Sequence, residues 1–388
     1  MSVKMQPLSS CTSQALRLAS FLLISASLVG CSLLGSKAAK PKPADLGVNV
    51  PLIGVSQAWT AQLGSAGSLP VGMHVQNATV TLASSDGTVA ALDSRTGREI
   101  WRTRLGMSLA SGVGSDGTWA AVVSQTNELV VLEKGQEKWR VPLHAQVFTA
   151  PLLAGGRVFV LAADRTLLAF DGKSGRQLWS QPRSGEALVL RQPGVLMAVG
   201  NTLVAGISGR LVGLNPDNGL VRWESPLASA RGTNDVERLV ELVAPASRVG
   251  YSVCARAFQA GVGCLDVRDA SVQWTQKSSG AQGVGGDSAV LYGTQSNGAI
   301  TAWRRSDGDQ IWTTQRLAYR KLTAPLLLGR SVAVGDESGA VHLLSREDGS
   351  PLTRLQTDGS GIAASPAEAD GTLVVVTRKG RIYGFRPD

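Results

Sequence analysis

The residues of this chain with covalent or acid–base capability are few and far apart. Its three histidines, His74, His144 and His342, carry no metal-ligand spacing around them and read as solvated or satisfied core residues. Cys254 and Cys264 lie on two strand-like runs, Tyr251-Ser-Val-Cys254 and Gly263-Cys264-Leu-Asp266, around a turn near Gln259-Ala-Gly261. Facing positions of an antiparallel pair can be bridged. The pair is therefore either a structural disulfide, favoured in an exported chain, or two buried thiols. There is no Gly-x-Ser-x-Gly elbow, phosphate loop or dinucleotide fingerprint. Gly283-Val-Gly285-Gly286 has no helix after it to offer a phosphate site and reads as a turn. No catalytic set, cofactor site or metal site is expected.

What recurs instead is a phrase of acid, glycine and tryptophan. Asp93, Gly97 and Trp101 spell it most clearly, Asp171, Gly175 and Trp179 repeat it, and Asn215, Gly219 and Trp223 repeat it again. Worn copies end at Trp139, Trp274 and Trp312, and one ends at Thr353 in place of tryptophan. Successive copies are 38 to 51 residues apart, the period of a repeat architecture. The acid accepts amides of the turn that follows, the glycine supplies the positive φ of a bulged hairpin, and the tryptophan packs against the next unit.

Three strand-like runs separate one tryptophan from the next, as in Pro151-Leu-Leu-Ala, Val158-Phe-Val-Leu-Ala162 and Leu167-Leu-Ala-Phe170, punctuated at Gly155-Gly156 and Asp164-Arg165. With the tryptophan run as a fourth, each unit is a four-stranded antiparallel blade. The last copy stops at Phe385 without a fourth strand, while Gln57-Ala-Trp59 is a fourth strand without a blade. Joined, they make an eighth. The expectation is an all-β, eight-bladed β-propeller over residues 51–388, closed by its N- and C-terminal strands in one blade. The second copy, from Glu133 to Trp139, is two residues short.

Residues 1–30 read as a secretory signal, with Lys4 and Arg17 leading into an apolar run that ends in small residues. Leu28-Val-Gly-Cys31 resembles the bacterial lipobox, which makes Cys31 the expected lipid attachment site and Ser32 a mark of outer-membrane sorting. Acyl chains on Cys31 would hold the protein at a membrane. Residues 31–50, rich in Lys, Ala and Pro, are expected to be the lipidated cysteine and a flexible tether. The formal charge is +9, but the basic residues are scattered and no aromatic–basic groove is visible, so nucleic acid is not an expected partner.

Function is sought where the repeat is broken. The longest interval holds Ser229-Ala-Arg-Gly-Thr-Asn-Asp-Val-Glu-Arg238-Leu-Val-Glu241, and a second irregular stretch is Gly185-Glu-Ala-Leu188-Val-Leu190-Arg191-Gln-Pro193. Both link one blade's outer strand to the next blade's inner strand, so both lie on one rim. They are either ordinary surface loops or, as apolar and arginine residues beside acids, a protein-binding patch.

The phrase resembles the repeat of quinoprotein dehydrogenases, eight-bladed propellers that hold pyrroloquinoline quinone on their axis. Those enzymes also have a pair of adjacent cysteines and a calcium site; no two cysteines are adjacent here. Such repeats with a lipobox and without the cofactor site resemble the BamB family, lipoproteins of the outer-membrane β-barrel assembly machinery. Lys321-Leu-Thr-Ala-Pro325, Val334-Gly-Asp-Glu-Ser-Gly339 and Glu347-Asp-Gly349 are similar to that family too. The resemblance implies a non-enzymatic scaffold that binds the periplasmic domains of the barrel subunit BamA and assists nascent outer-membrane proteins. It implies partner-binding roles for Leu188, Leu190 and Arg191, matching a Leu-x-Leu-Arg segment, and for Arg238 and Glu241, matching an acidic loop. The family's second acid falls at Val243. Exposed blade edges pairing with client strands, a quinone-dependent dehydrogenase and a ligand-sensing lipoprotein are the rival readings.

Overall fold

A computed structural model describes residues 41–64, 72–183, 189–229 and 239–388. Cys31, Leu188 and Arg238 lie outside the described residues. The described chain forms eight four-stranded antiparallel sheets. In the first blade the strands are Met73–Gln76, Thr79–Ala83, Thr88–Asp93 and Glu99–Arg104. Its two middle strands are buried on both faces, as their unbroken apolar runs require, whereas the outer strand is largely exposed. Blades two to seven occupy residues 114–142, 152–181, 196–226, 242–277, 284–314 and 326–356. In the eighth, Val55–Gln62 from the start of the chain pairs with Arg381–Pro387 from its end, setting Trp59 opposite Gly384. The innermost strands neighbour one another all the way round, giving an eight-bladed propeller. Turns between second and third strands share one rim with the links between blades, and the acid–glycine turns occupy the other.

At five of the eight junctions the recurring phrase fastens one blade to the next by a hydrogen bond. Trp59 donates its indole N–H to the carbonyl of Ser94 at 2.8 Å, Trp139 to Gly172 at 2.9 Å, Trp179 to Pro216 at 3.0 Å, Trp274 to Arg305 at 2.7 Å and Trp312 to Arg346 at 2.9 Å. In every case the acceptor directly follows the residue that opens the turn. The acid shapes that turn: Asp171 Oδ1 accepts the Ser174 amide at 2.8 Å and its hydroxyl at 2.7 Å, and Asp93 does the same with Thr96 at 2.9 and 2.7 Å. The glycine does two jobs. Gly175 sits at φ 72°, and a Cβ there would lie 2.7 Å from the Trp139 ring. The short second copy closes with the left-handed pair Lys134-Gly135, and Gly135 still lies under Trp101. In the fifth blade the glycine position is taken by Ala270, held at φ 59°.

Thr353 has lost its tryptophan for a structural reason. It stands in the outer strand of blade seven, and the turn it would dock on is absent because the two chain ends meet there: the Asp388 amide bonds to the Gly54 carbonyl at 3.3 Å. The incoming chain covers the place instead. Residues expected as the end of a tether bond along blade seven, from Ala44 N–H to Ala318 O (2.9 Å) to Leu52 N–H to Leu352 O (2.7 Å). Between them Arg354 donates to Gly47 O at 3.0 Å and Asn49 to Arg354 O at 3.1 Å. Leu46 packs with Leu317 and Leu344. We refer to residues 44–52 as the strap.

Arg320 clamps the strap, donating to Ala44 O at 3.0 and 2.6 Å while pairing with buried Asp336 at 3.2 Å. Asp336 also receives His342 Nε2 at 3.0 Å, the Ser338 hydroxyl at 2.6 Å and the Ala340 amide at 3.0 Å. Burial pushes the Asp336 carboxyl up, but these hydrogen bonds outweigh it and hold it well below the usual carboxylate range.

Two outcomes are expected. Gly175→Ala and Gly371→Ala both place a side chain at φ near 70°, but Gly371 faces open space; denaturant melts should show Gly175→Ala costing about 1–3 kcal/mol more. Because the Asp336 pKa is depressed by folding, its contribution is complete above the unfolded value of about 4 and is lost as pH falls below it. Asp336→Asn should therefore cost about 2–3 kcal/mol at pH 7, with the gap to wild type closing in thermal melts as the solution is acidified.

Candidate functional site

The two irregular links meet on one rim. Leu190 is half-buried and Arg191 exposed, and their segment is sewn to its neighbours on both sides. The Gly194 amide donates to Thr149 Oγ1 at 2.9 Å in the preceding link, Gly194 bridges Val243 in the fifth blade, and the Ala244 amide bonds to Pro193 O at 2.9 Å. Val189, Leu190, Phe148 and Leu161 wall a hollow whose polar side is Arg165 and Glu241.

Arg165 and Glu241 form an ion pair of 2.9 Å with side chains 8% and 16% exposed. The other Glu241 oxygen accepts the Ser208 amide at 3.3 Å, and its main-chain carbonyl accepts the Phe258 amide at 2.9 Å. Glu241 thus gathers turns of the third, fourth and fifth blades under the Leu190 segment, and both of its carboxylate oxygens are engaged internally. Arg165 is a residue that sequence reasoning read as turn punctuation. It sits at φ 68°, in the left-handed region that an arginine rarely adopts. A long cation in a two-residue turn, where glycine or asparagine is usual, was the available signal. Val243, where the resemblance puts the family's second acid, is buried at 2% exposure; a carboxylate there would face the interior.

The other sequence candidates fall elsewhere. Cys254 and Cys264 stand opposite each other in register, with α-carbons 4.0 Å apart, fully buried and joined as a disulfide. Behind them Arg256 is buried against the Trp303 ring, and burial lowers its pKa to about 10. His74 lies on the first blade's inner strand, where burial pushes its pKa down against the opposing pull of Asp116. His144 is exposed in the link after blade two, and His342 belongs to the strap clamp. Among the described residues no three His, Cys, Asp or Glu side chains are grouped to hold a metal ion, and no helix is long and apolar enough to cross a membrane.

Blade count, blade size and the acid–glycine–tryptophan fastening define an eight-bladed propeller of quinoprotein-type repeats. The sequence of residues 85–314 matches the family described as outer membrane protein assembly factor BamB. A relative of that description from Burkholderia pseudomallei is 35% identical, over 93% of this chain and 95% of its own. The chain belongs to the BamB family. Among solved structures, BamB from Moraxella catarrhalis superposes with a TM-score of 0.78 at 21% identity, over 86% of this chain and 99% of that one. A quinohemoprotein alcohol dehydrogenase from Pseudomonas putida superposes with a TM-score of 0.67 at 12% identity, over 87% and 77%. At such identities both are likenesses of fold.

Removing one member of the Arg165–Glu241 pair leaves its partner in a low-dielectric setting. Glu241→Ala should cost about 2–3 kcal/mol in urea unfolding. A double-mutant cycle with Arg165→Met should return a coupling of about 1 kcal/mol or more; purely additive losses would show that the pair does not act as a unit.

Proposed function

We propose that this chain is a non-enzymatic scaffold lipoprotein of the outer-membrane β-barrel assembly complex, as the name borne by its relatives suggests. In this reading Cys31 carries the lipid that holds it at the periplasmic face of the outer membrane. Leu188, Leu190, Arg191 and Arg238 form the surface that receives the periplasmic domains of BamA, and nascent outer-membrane proteins are assisted by the assembled complex.

The observation that carries this reading is the union of the two links into one surface. Leu190 and Arg191 are presented from a segment bonded to Thr149 on one side and to Val243 and Ala244 on the other. An apolar residue and an arginine carried on a backbone held at both sides is the composition of an interface anchor, with less backbone freedom left to lose on binding. Glu241 serves here as the support of that surface rather than its tip, since its carboxylate is already bound to Arg165 and Ser208. A propeller suits the role because rigid blades offer several loop surfaces at once.

Co-purification of BamA with Leu190→Ala/Arg191→Ala protein should fall by about tenfold or more, with the melting temperature unchanged. Wild-type recovery of BamA would remove the docking assignment.

A further inference from the structure

The same rim carries a second distinctive sector, at the link between blades six and seven. We propose that this corner rests on the anionic headgroups of a phospholipid surface. Tyr319 and Lys321 are both left-handed, at φ 59° and 51°, and flank Arg320. The alternation turns Arg320 inward onto Ala44 and Asp336 and leaves its two neighbours outward. Tyr319 is 45% exposed and the Lys321 side chain 72% exposed.

Around them stand exposed Arg316 in the same link, and Arg378 and Lys379 in the adjoining turn of blade eight. Arg378 is tied in by Glu337, which takes Lys321 at 2.8 Å and Arg378 at 3.7 Å. The other carboxylates here are mostly spent. Asp336 is buried on Arg320 and His342, and Asp358 is bonded to Ser360 and Thr377. Glu337 and Asp45 remain exposed, and the cations outnumber them. Cations around an exposed tyrosine are the composition that settles at a bilayer interface, where the ring sits at headgroup level.

The route of the chain points the same way. Ala44, the first residue of the strap, is fixed in this corner by Ala318 and Arg320. Lys37, Lys40 and Lys42 precede it in sequence. On the lipid attachment proposed above, the stretch from Cys31 to Ala44 reaches at most about 45 Å, which keeps this corner near the bilayer that holds the anchor.

The test uses residues 43–388, a compact unit closed by its own first and last strands, so that Cys31 plays no part in the result. Flotation with phosphatidylglycerol vesicles should carry the protein, and flotation with phosphatidylcholine vesicles should not. Lys321→Glu/Lys379→Glu should lower the bound fraction about tenfold or more, as should high salt, with the melting temperature confirming the fold. Leu190→Ala/Arg191→Ala should float like wild type, which separates this face from BamA docking. Equal flotation with both lipids, no flotation, or a charge-reversed variant that floats unchanged would overturn the proposal. So would loss of a bound acidic protein, without any vesicle binding, in the charge-reversed variant.

Discussion

The indole-to-carbonyl bond between consecutive blades is the contact on which the rest of the molecule depends. A single blade cannot bury its apolar faces alone, and each blade here gains its second apolar wall from a neighbour. Clusters such as Phe159, Trp179, Leu203 and Val212 join two blades rather than filling one. Tryptophan fixes the relative height of the two sheets through one directed hydrogen bond, and glycine lets the ring come close enough for that bond to form. The acid bends the turn so that the acceptor carbonyl is offered at the correct place. Sequence repetition follows from this geometry, because the same three parts recur at most junctions.

Where the fastening cannot be made, the chain improvises. Blade eight is assembled from both termini and has no acid–glycine turn, so Thr353 has nothing to dock on and the strap lies across the outer strand instead. Asp336, buried and stripped of ordinary solvation, is the hub that holds Arg320 in position to grip it. In blade five, Ala270 accepts a left-handed conformation that costs about 1 kcal/mol, and the disulfide lies between the two preceding strands of that blade.

Most of the frame was legible because the phrase is local. Gly97, Gly175 and Trp179 carry their spacing on their face, and the incomplete copies at Trp59 and Phe385 name each other as partners. The site was half legible. Leu190 and Arg191 stand out as a departure from the repeat on the same rim as the link of Glu241, but the joining of the two links through Gly194 and Val243 has no local signal. Arg165 was hidden, since its importance comes from a carboxylate 76 residues away in sequence. The strap was hidden for the same reason: a run rich in proline and lysine has the composition of a tether, and nothing local says that Arg320 and Arg354 will hold it.

The pairing of Trp59 with Gly384 fixes the order in which this protein can be completed. The first strand has no sheet to join until the last has left the ribosome. Seven blades can stack in passing, one upon another, by contacts of short range. The eighth requires a loop of more than three hundred residues to close, so throughout synthesis the N-terminal strand stays an open edge, in need of protection from wrong partners. Closure is therefore the last step of folding. A chain cut short by its final eight residues loses Arg381–Pro387, the strand against which Val55–Gln62 pairs, and has no ring.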